Sequence, residues 1–263
     1  MPVGVAVSGY SGNWSGTSTI TDSSGNTLLA PVADPNGSGR TVNLSRILKS
    51  GAAIWGGVRS EQVWNNGTQL IPGHDYWMAF ALMIKPGEAI PTVGGSDDDM
   101  LVFQTHTPAQ GATNPDISLC LQGQTKSMRW RSAYNSQPSN TWAYVGGSNP
   151  DTEAETTRYS EALPAAGVWT RFIIHYRPGY TSSQNPRFRV WRANAGADYV
   201  QLFDSTALNT YNSLSGPSYP RIGPYKWSSS TWNSSSQAFY QTPLYFGEGS
   251  DLLSAAKASL AGL

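Results

Sequence analysis

The stretch Tyr219-Pro220-Arg221-Ile222-Gly223-Pro224-Tyr225-Lys226-Trp227 decides how the rest of this chain is read. In an extended strand, side chains alternate between two faces, so Tyr219, Arg221, Tyr225 and Trp227 share one, and Gly223 leaves a gap among them. Phenols, a guanidinium and an indole beside a gap suit the floor of a cleft that grips sugar rings. An ordinary Tyr/Trp-rich strand carries the same pattern. Either way, the stretch belongs to a sheet.

The remainder of the chain agrees with a sheet protein. Its 263 residues include 27 Gly, 17 Pro, 13 Tyr and 10 Trp, with only 13% charged side chains. Turn formers interleaved with aromatic and β-branched residues suit short strands joined by loops, and an all-β chain of this length commonly forms one domain. The 17 basic and 17 acidic residues cancel, which argues against the broad basic surface of a nucleic-acid binder. The single Cys120 has no partner for an intramolecular disulfide, and its apolar neighbours read it as a small buried hydrophobe. No stretch approaches the ~18 apolar residues of a membrane span. Met1 to Val7 lacks the basic and apolar regions of a secretory signal, so the expected extracellular location implies a removed signal or another route, such as release with a phage particle or on lysis.

Taken in order, residues 1–40 read as a loosely structured opening with one or two edge strands, at Val3 to Val7 and Thr27 to Val32. Strands are expected at Asn43 to Lys49, Ala52 to Trp55 and Val58 to Trp64. Asp75 to Ile84 is apolar throughout, which fits a strand covered on both faces. Met100 to His106 should place Leu101, Phe103 and Thr105 on one face, with Val102, Gln104 and His106 on the other. Ile117 to Gln122, Ser127 to Ala133 and Thr141 to Val145 form a meander, and a polar segment from Gly146 to Glu161 separates them from the later strands. Trp169 to Arg177, Arg187 to Arg192, Tyr199 to Phe203 and Leu244 to Gly247 complete the strands, and Leu252 to Leu263 should be a short helix. There is no repeat with a 20–50 residue period. Strands about ten residues apart predict an all-β, single-domain two-sheet antiparallel sandwich, a concanavalin-like β-jelly roll.

Four polar sets interrupt these strands at spacings of two or four: Arg59/Glu61, Gln104/His106, Arg171/His175 and Tyr219/Arg221/Tyr225. Such spacing keeps each set on one sheet face. Combined on one outer face, they fit β-elimination at a uronic acid. That reaction needs a neutraliser for the carboxylate, a base for the C5 proton and an acid for the leaving sugar oxygen. Arg59, Gln104 and His106 supply charge and hydrogen bonds where negative charge grows. Tyr225 is a base or an acid; as a base, with an ordinary pKa of ~10, it needs a nearby arginine to favour the phenolate. His106 is the other candidate, since histidine ordinarily titrates near neutrality.

These residues resemble a known family. Arg59-Ser60-Glu61, Gln104-Thr105-His106 and Tyr219 to Tyr225 resemble, in order, three signatures of jelly-roll alginate lyases. The wider pattern, with Tyr76-Trp77, Val168 to His175 and Gly223-Pro224-Tyr225, is similar to the heparin-lyase-I-like polysaccharide lyases over roughly residues 55–250. The resemblance implies a β-jelly roll and eliminative cleavage of an anionic polysaccharide. It puts Tyr225 and His106 on the catalytic tyrosine and histidine, and Gln104 and Arg59 on the carboxylate neutralisers. Arg221 stands where the family has lysine, and Glu61 holds Arg59 in place. Tyr219, Lys226, His175, Arg189 and Trp191 complete the candidate substrate-binding set. Pro220 and Pro224 lack backbone donors, which suggests an edge position or a bulge at this strand.

The rival readings are a glycoside hydrolase, which needs two facing carboxylates, and a non-catalytic carbohydrate-binding module or phage adhesin. No Glu-x-Asp-x-Glu strand is present, and Glu61 has no acidic partner on its own strand face. The absence of extended Lys/Arg clusters favours a carboxylate-only polymer, alginate or glucuronan, over a sulfated one. The mechanism requires no cofactor. Asp97 to Asp99 form an acidic loop that suits a structural calcium or plain solvation. The chain reads as a monomer without nucleic-acid or membrane partners.

Overall fold

The computed structural model describes residues 3–7, 10–14, 19–22, 24–51, 57–63, 69–88, 90, 99–107, 114–136, 155–213, 216–226 and 234–263. In chain order the strands are β1 (Val3–Val7), β2 (Tyr10–Trp14), β3 (Ile20–Thr21), β4 (Thr27–Ala33), β5 (Thr41–Leu48) and β6 (Val58–Val63). Next come β7 (Tyr76–Ile84), β8 (Asp99–His106), β9 (Ile117–Gln122), β10 (Ser127–Ser132), β11 (Thr156–Ala162) and β12 (Thr170–Arg177). β13 (Arg187–Asn194), β14 (Val200–Ser205), β15 (Tyr219–Lys226), β16 (Ser236–Gln241), β17 (Tyr245–Glu248) and the helix α1 (Leu253–Ser259) complete the chain.

The strands form two antiparallel sheets packed face to face as a β-jelly roll. One has eight strands in the order β11-β10-β9-β8-β15-β6-β1-β2. The other has nine, with a main order of β14-β13-β12-β7-β16-β5-β4-β3 and β17 also paired to β7. Alternation decides what lies between them. Phe172, Ile174 and Tyr176 of β12 point inward to meet Ile117, Leu119, Leu121, Met128 and Trp130 of the facing sheet. Trp130 is fully buried, with ring contacts to Phe103, Phe172 and Phe188 at 6.1, 5.6 and 5.9 Å. Tilted and edge-on pairs of this kind contribute about 0.5–1.5 kcal/mol each beyond their burial.

The unbroken apolar run of β7 has a direct cause. Its inner residues Tyr76, Met78, Phe80 and Leu82 join the main core, while on the outer side Trp77 stacks on His175 and Trp191, and Ala79, Ala81 and Met83 share an apolar cluster with Ala256 and Leu260 at the C-terminal helix. The small Ala79 and Ala81 let that helix approach the sheet. Arg40 ties it down by donating to the Ser259 and Ala261 carbonyls at 2.8 and 2.9 Å.

Several expectations are corrected. Residues 1–40 hold four strands instead of one or two, because β1–β2 and β3–β4 pair as hairpins along the sheet margins. The polar stretch before residue 162 contains β11, paired to β10 despite its exposure, and β16 has no counterpart among the expected strands. A register shift between Leu101 and Phe103 against β9 breaks the alternation of β8. Val102 and Phe103 therefore both join the core, and Leu101 turns outward beside Cys120 and Tyr225. Tyr219–Lys226 is not an edge strand, since β8 and β6 flank it; the bulge suggested by its prolines does occur, between Ile222 and Tyr225 against β8. Ala52 to Trp55, Trp64, Asp97, Asp98, Thr141 to Val145 and Trp227 lie outside the described residues.

Candidate active site

The three central strands β8, β15 and β6 carry the outer-face residues Gln104 and His106, Tyr219, Arg221 and Tyr225, and Arg59 and Glu61. Register brings them side by side. Tyr219 lies opposite His106, Arg221 opposite Gln104, and Tyr225 opposite Arg59. Three of the four polar sets therefore meet on one face.

Glu61 is the hub of this face. Its side chain is 1% exposed, and it accepts from Arg59 Nη1 at 3.0 Å and from Gln104 Nε2 at 2.5 Å. Arg221 Nη1 is 3.8 Å from the same carboxylate. Among the described residues, two guanidiniums around one carboxylate leave a surplus positive charge in a buried setting, where electrostatic interactions are stronger than in water. Gln104 keeps a second amide N–H beyond the one given to Glu61, and its buried Oε1 has no partner among the described residues.

The two tyrosines of β15 occupy different surroundings. Tyr219 is half-buried and its hydroxyl accepts from Arg221 Nη2. Tyr225 is 4% exposed and packs on Leu101 and Cys120, with the Arg59 guanidinium 3.9 Å from its ring centroid. Burial pushes its phenol pKa well up, and Arg59 only partly opposes that shift. Tyr225 is thus a neutral phenol at rest.

His106 is half-buried, and its Nδ1 lies 2.8 Å from the Thr107 carbonyl. A carbonyl can only accept, so Nδ1 carries a proton, and in the neutral ring the lone pair falls on Nε2. Thr107 is itself anchored: its hydroxyl donates to Asp116 at 2.8 Å, and Thr210 donates to the same carboxyl at 2.9 Å. Asp116 is fully buried, and burial pushes its pKa up to about 6. No sequence pattern pointed to Asp116. The sequence also passed over Arg129 and Arg131, whose i,i+2 spacing on β10 puts both on the outer face beside β9; Arg131 pairs with Glu155 at 2.5 Å.

Gly223 has a different role from the one expected. Its φ is +129°, and a Cβ there would fall 2.1 Å from the Ser60 carbonyl oxygen. The β6 backbone fills the space that the sequence suggested was a gap. Glycine is required by close strand approach.

Four candidate residues stand apart from this cluster. Lys226 is fully buried and points inward, paired with Val58 and Met100 of the core, because it comes one residue after the outward Tyr225. His175, Arg189 and Trp191 lie on β12 and β13 of the other sheet. Their outer face looks away from Glu61, since both sheets turn their inner faces to the shared core.

Residues 10–242 match the family model described as polysaccharide lyase. No curated protein matches the chain. Among solved structures, an endo-β-1,4-glucuronan lyase from the fungus Trichoderma reesei superposes with a TM-score of 0.60 at 15% identity, covering 84% of this chain and 87% of that one. The exolytic PL7 alginate lyase of Zobellia galactanivorans gives a TM-score of 0.62 at 13% identity, with 95% of both chains covered. A GH131 β-glucanase catalytic domain from Podospora anserina gives 0.56 at 14% identity, covering 89% of this chain and 83% of that one. At such identities the structural likenesses establish the jelly-roll fold alone.

Proposed function

The chain belongs to the polysaccharide lyase family, and we propose that it cleaves a polymer of carboxylated sugars, glucuronan or alginate, by β-elimination. The observation that carries this reading is the cluster around Glu61, where Arg59, Arg221 and Gln104 share one buried carboxylate. Its surplus positive charge suits a uronate carboxylate and, more strongly, the enolate-like dianion that forms when the C5 proton leaves.

A sugar seated over Glu61 has His106 and Tyr219 at one end and Tyr225 and Arg59 at the other. His106 takes the C5 proton on Nε2, the nitrogen left with the lone pair by the contact to Thr107. The electron pair of the C5–H bond forms the C4–C5 double bond, and the C4–oxygen bond breaks. Tyr225, protonated at rest, gives its proton to the departing oxygen. Arg59 then stabilises the phenolate until the proton returns. Tyr219 orients the sugar from the His106 side. Asp116 acts one step back, holding Thr107 and through it the His106 ring.

The GH131 likeness does not favour hydrolysis. On this outer face Glu61 and Glu155 are both engaged by arginines at 3.0 and 2.5 Å, an arrangement unlike the free acid and base pair that hydrolysis needs. The experiment is to follow ultraviolet absorbance of the C4–C5 unsaturated uronate on glucuronan, alginate and heparin-type chains. A rise on a carboxylate-only polymer is expected. Retained binding without any rise would overturn the lyase reading in favour of a binding module. A rise confined to the sulfated chains would overturn the substrate assignment.

A further inference from the structure

The outer face of the nine-stranded sheet is divided. One part lies under the C-terminal helix, and the other carries a cavity of ≈ 610 Å³ at the ends of β12 and β13. Such a volume falls in the range of small-ligand sites. The register of β12 and β13 puts His175 opposite Arg189 and Arg177 opposite Arg187, and all four line the cavity. Like charges directly across a sheet are unfavourable unless anions lie between them. Two carboxylates supply part of that need. Asp75 accepts from His175 Nε2 at 2.6 Å and from Arg177 Nε at 3.0 Å; Asp204 accepts from Arg187 Nη2 at 2.5 Å and Arg189 Nε at 2.7 Å. Burial lowers the pKa of His175, which keeps its ring neutral at pH 7. Three guanidiniums, each roughly a third exposed, thus face two carboxylates.

We propose that this cavity is a second binding site for a carboxylated sugar chain, on the opposite side of the molecule from the Glu61 cluster. One ligand carboxylate supplies the missing negative charge, and guanidiniums bind it by paired N–H donors. Ser182, Asn185 and Thr206 in the cavity wall suit sugar hydroxyls, and Pro186, Ala207 and Leu208 suit the C–H face of a ring. The site holds a polymer on the enzyme between cleavages and raises the effective concentration of its other segments at the Glu61 cluster. The choice of ligand rests on the uronate reading of the active site.

The test is calorimetric titration with a glucuronan or alginate trisaccharide, in the His106→Ala chain so that the ligand is not consumed. Two trisaccharides per chain are expected. Thr206→Glu, an exposed position where a new carboxylate repels the ligand, should weaken one of the two at least tenfold; Arg187→Gln should act on the same one. One or two trisaccharides per chain whose binding neither substitution weakens would overturn the proposal. Eliminative cleavage together with such unweakened binding sinks the second site alone. Binding in the cavity without any cleavage sinks the lyase reading alone.

Discussion

The two outer faces of this jelly roll handle charge in opposite ways. On the eight-stranded sheet, Arg59, Arg221 and Gln104 converge on Glu61 with hardly any exposure to water. On the nine-stranded sheet, Asp75 serves Arg177 and the neutral His175 while Asp204 serves Arg187 and Arg189, beside an open cavity, and the arginines there remain about a third exposed. Water can replace a lost partner at the second face and cannot at the first. The same residue types therefore build a rigid electrostatic centre in one place and an adaptable one in the other.

Substitutions break or sharpen that contrast. The largest effect belongs to Glu61→Gln, which leaves two buried guanidiniums around a neutral side chain. Breaking a buried pair costs about 3–5 kcal/mol, read as a lower urea midpoint. Next comes Gly223→Ala. Positive φ and overlap with the Ser60 carbonyl each cost about 1–3 kcal/mol, so the melting temperature should fall, and an unchanged value would mean that β6 does not approach so closely.

Asp116→Asn tests the buried support behind His106. The Asp116 carboxyl has a folded pKa of about 6 against 3.8 in the open chain, so protonation favours the fold. Its contribution is fully present below pH 3.8 and is lost as pH rises through about 6. Two pKa units correspond to about 3 kcal/mol. Unfolding free energy measured from pH 4 to 7 should therefore fall less steeply in the Asn variant than in the parent. Parallel curves would show that Asp116 titrates normally. The smallest effect belongs to the second face: Arg187→Gln removes a partly exposed ion pair and should cost less than about 1 kcal/mol of stability.

How much of this was legible in the sequence differs between these regions. The outward set on β15 and its partners on β6 and β8 could be grouped by alternation alone, because spacing by two is preserved from Arg59 to Glu61 and from Gln104 to His106. Alternation failed where a strand takes an extra residue. The bulge in β8 turned Leu101 outward and Val102 inward, and nothing in Leu101-Val102-Phe103 announces it. Alternation also says nothing about which sheet a strand joins. Arg171/His175 obeyed the same spacing rule as the other three sets yet belongs to the opposite sheet, because pairing between distant segments is decided by the whole fold. Lys226 is a different case: alternation itself puts it one step past the outward Tyr225 and so in the core, and counting it with the substrate-binding residues set that rule aside. Asp116 and Gly223 escaped for a related reason, since their roles depend on Thr107, Thr210 and Ser60, which only the folded chain brings near.

The central claim is that the Glu61 cluster works with an acid and a base at its two ends. The initial rate of unsaturated-uronate formation should be measured on the cleaved polymer for the parent chain, His106→Ala and Tyr225→Phe, each checked for an unchanged unfolding midpoint. The account predicts losses of about 10²–10⁴-fold in each variant, the usual contribution of a positioned proton-transfer group. Near-parental rates in both folded variants would contradict it.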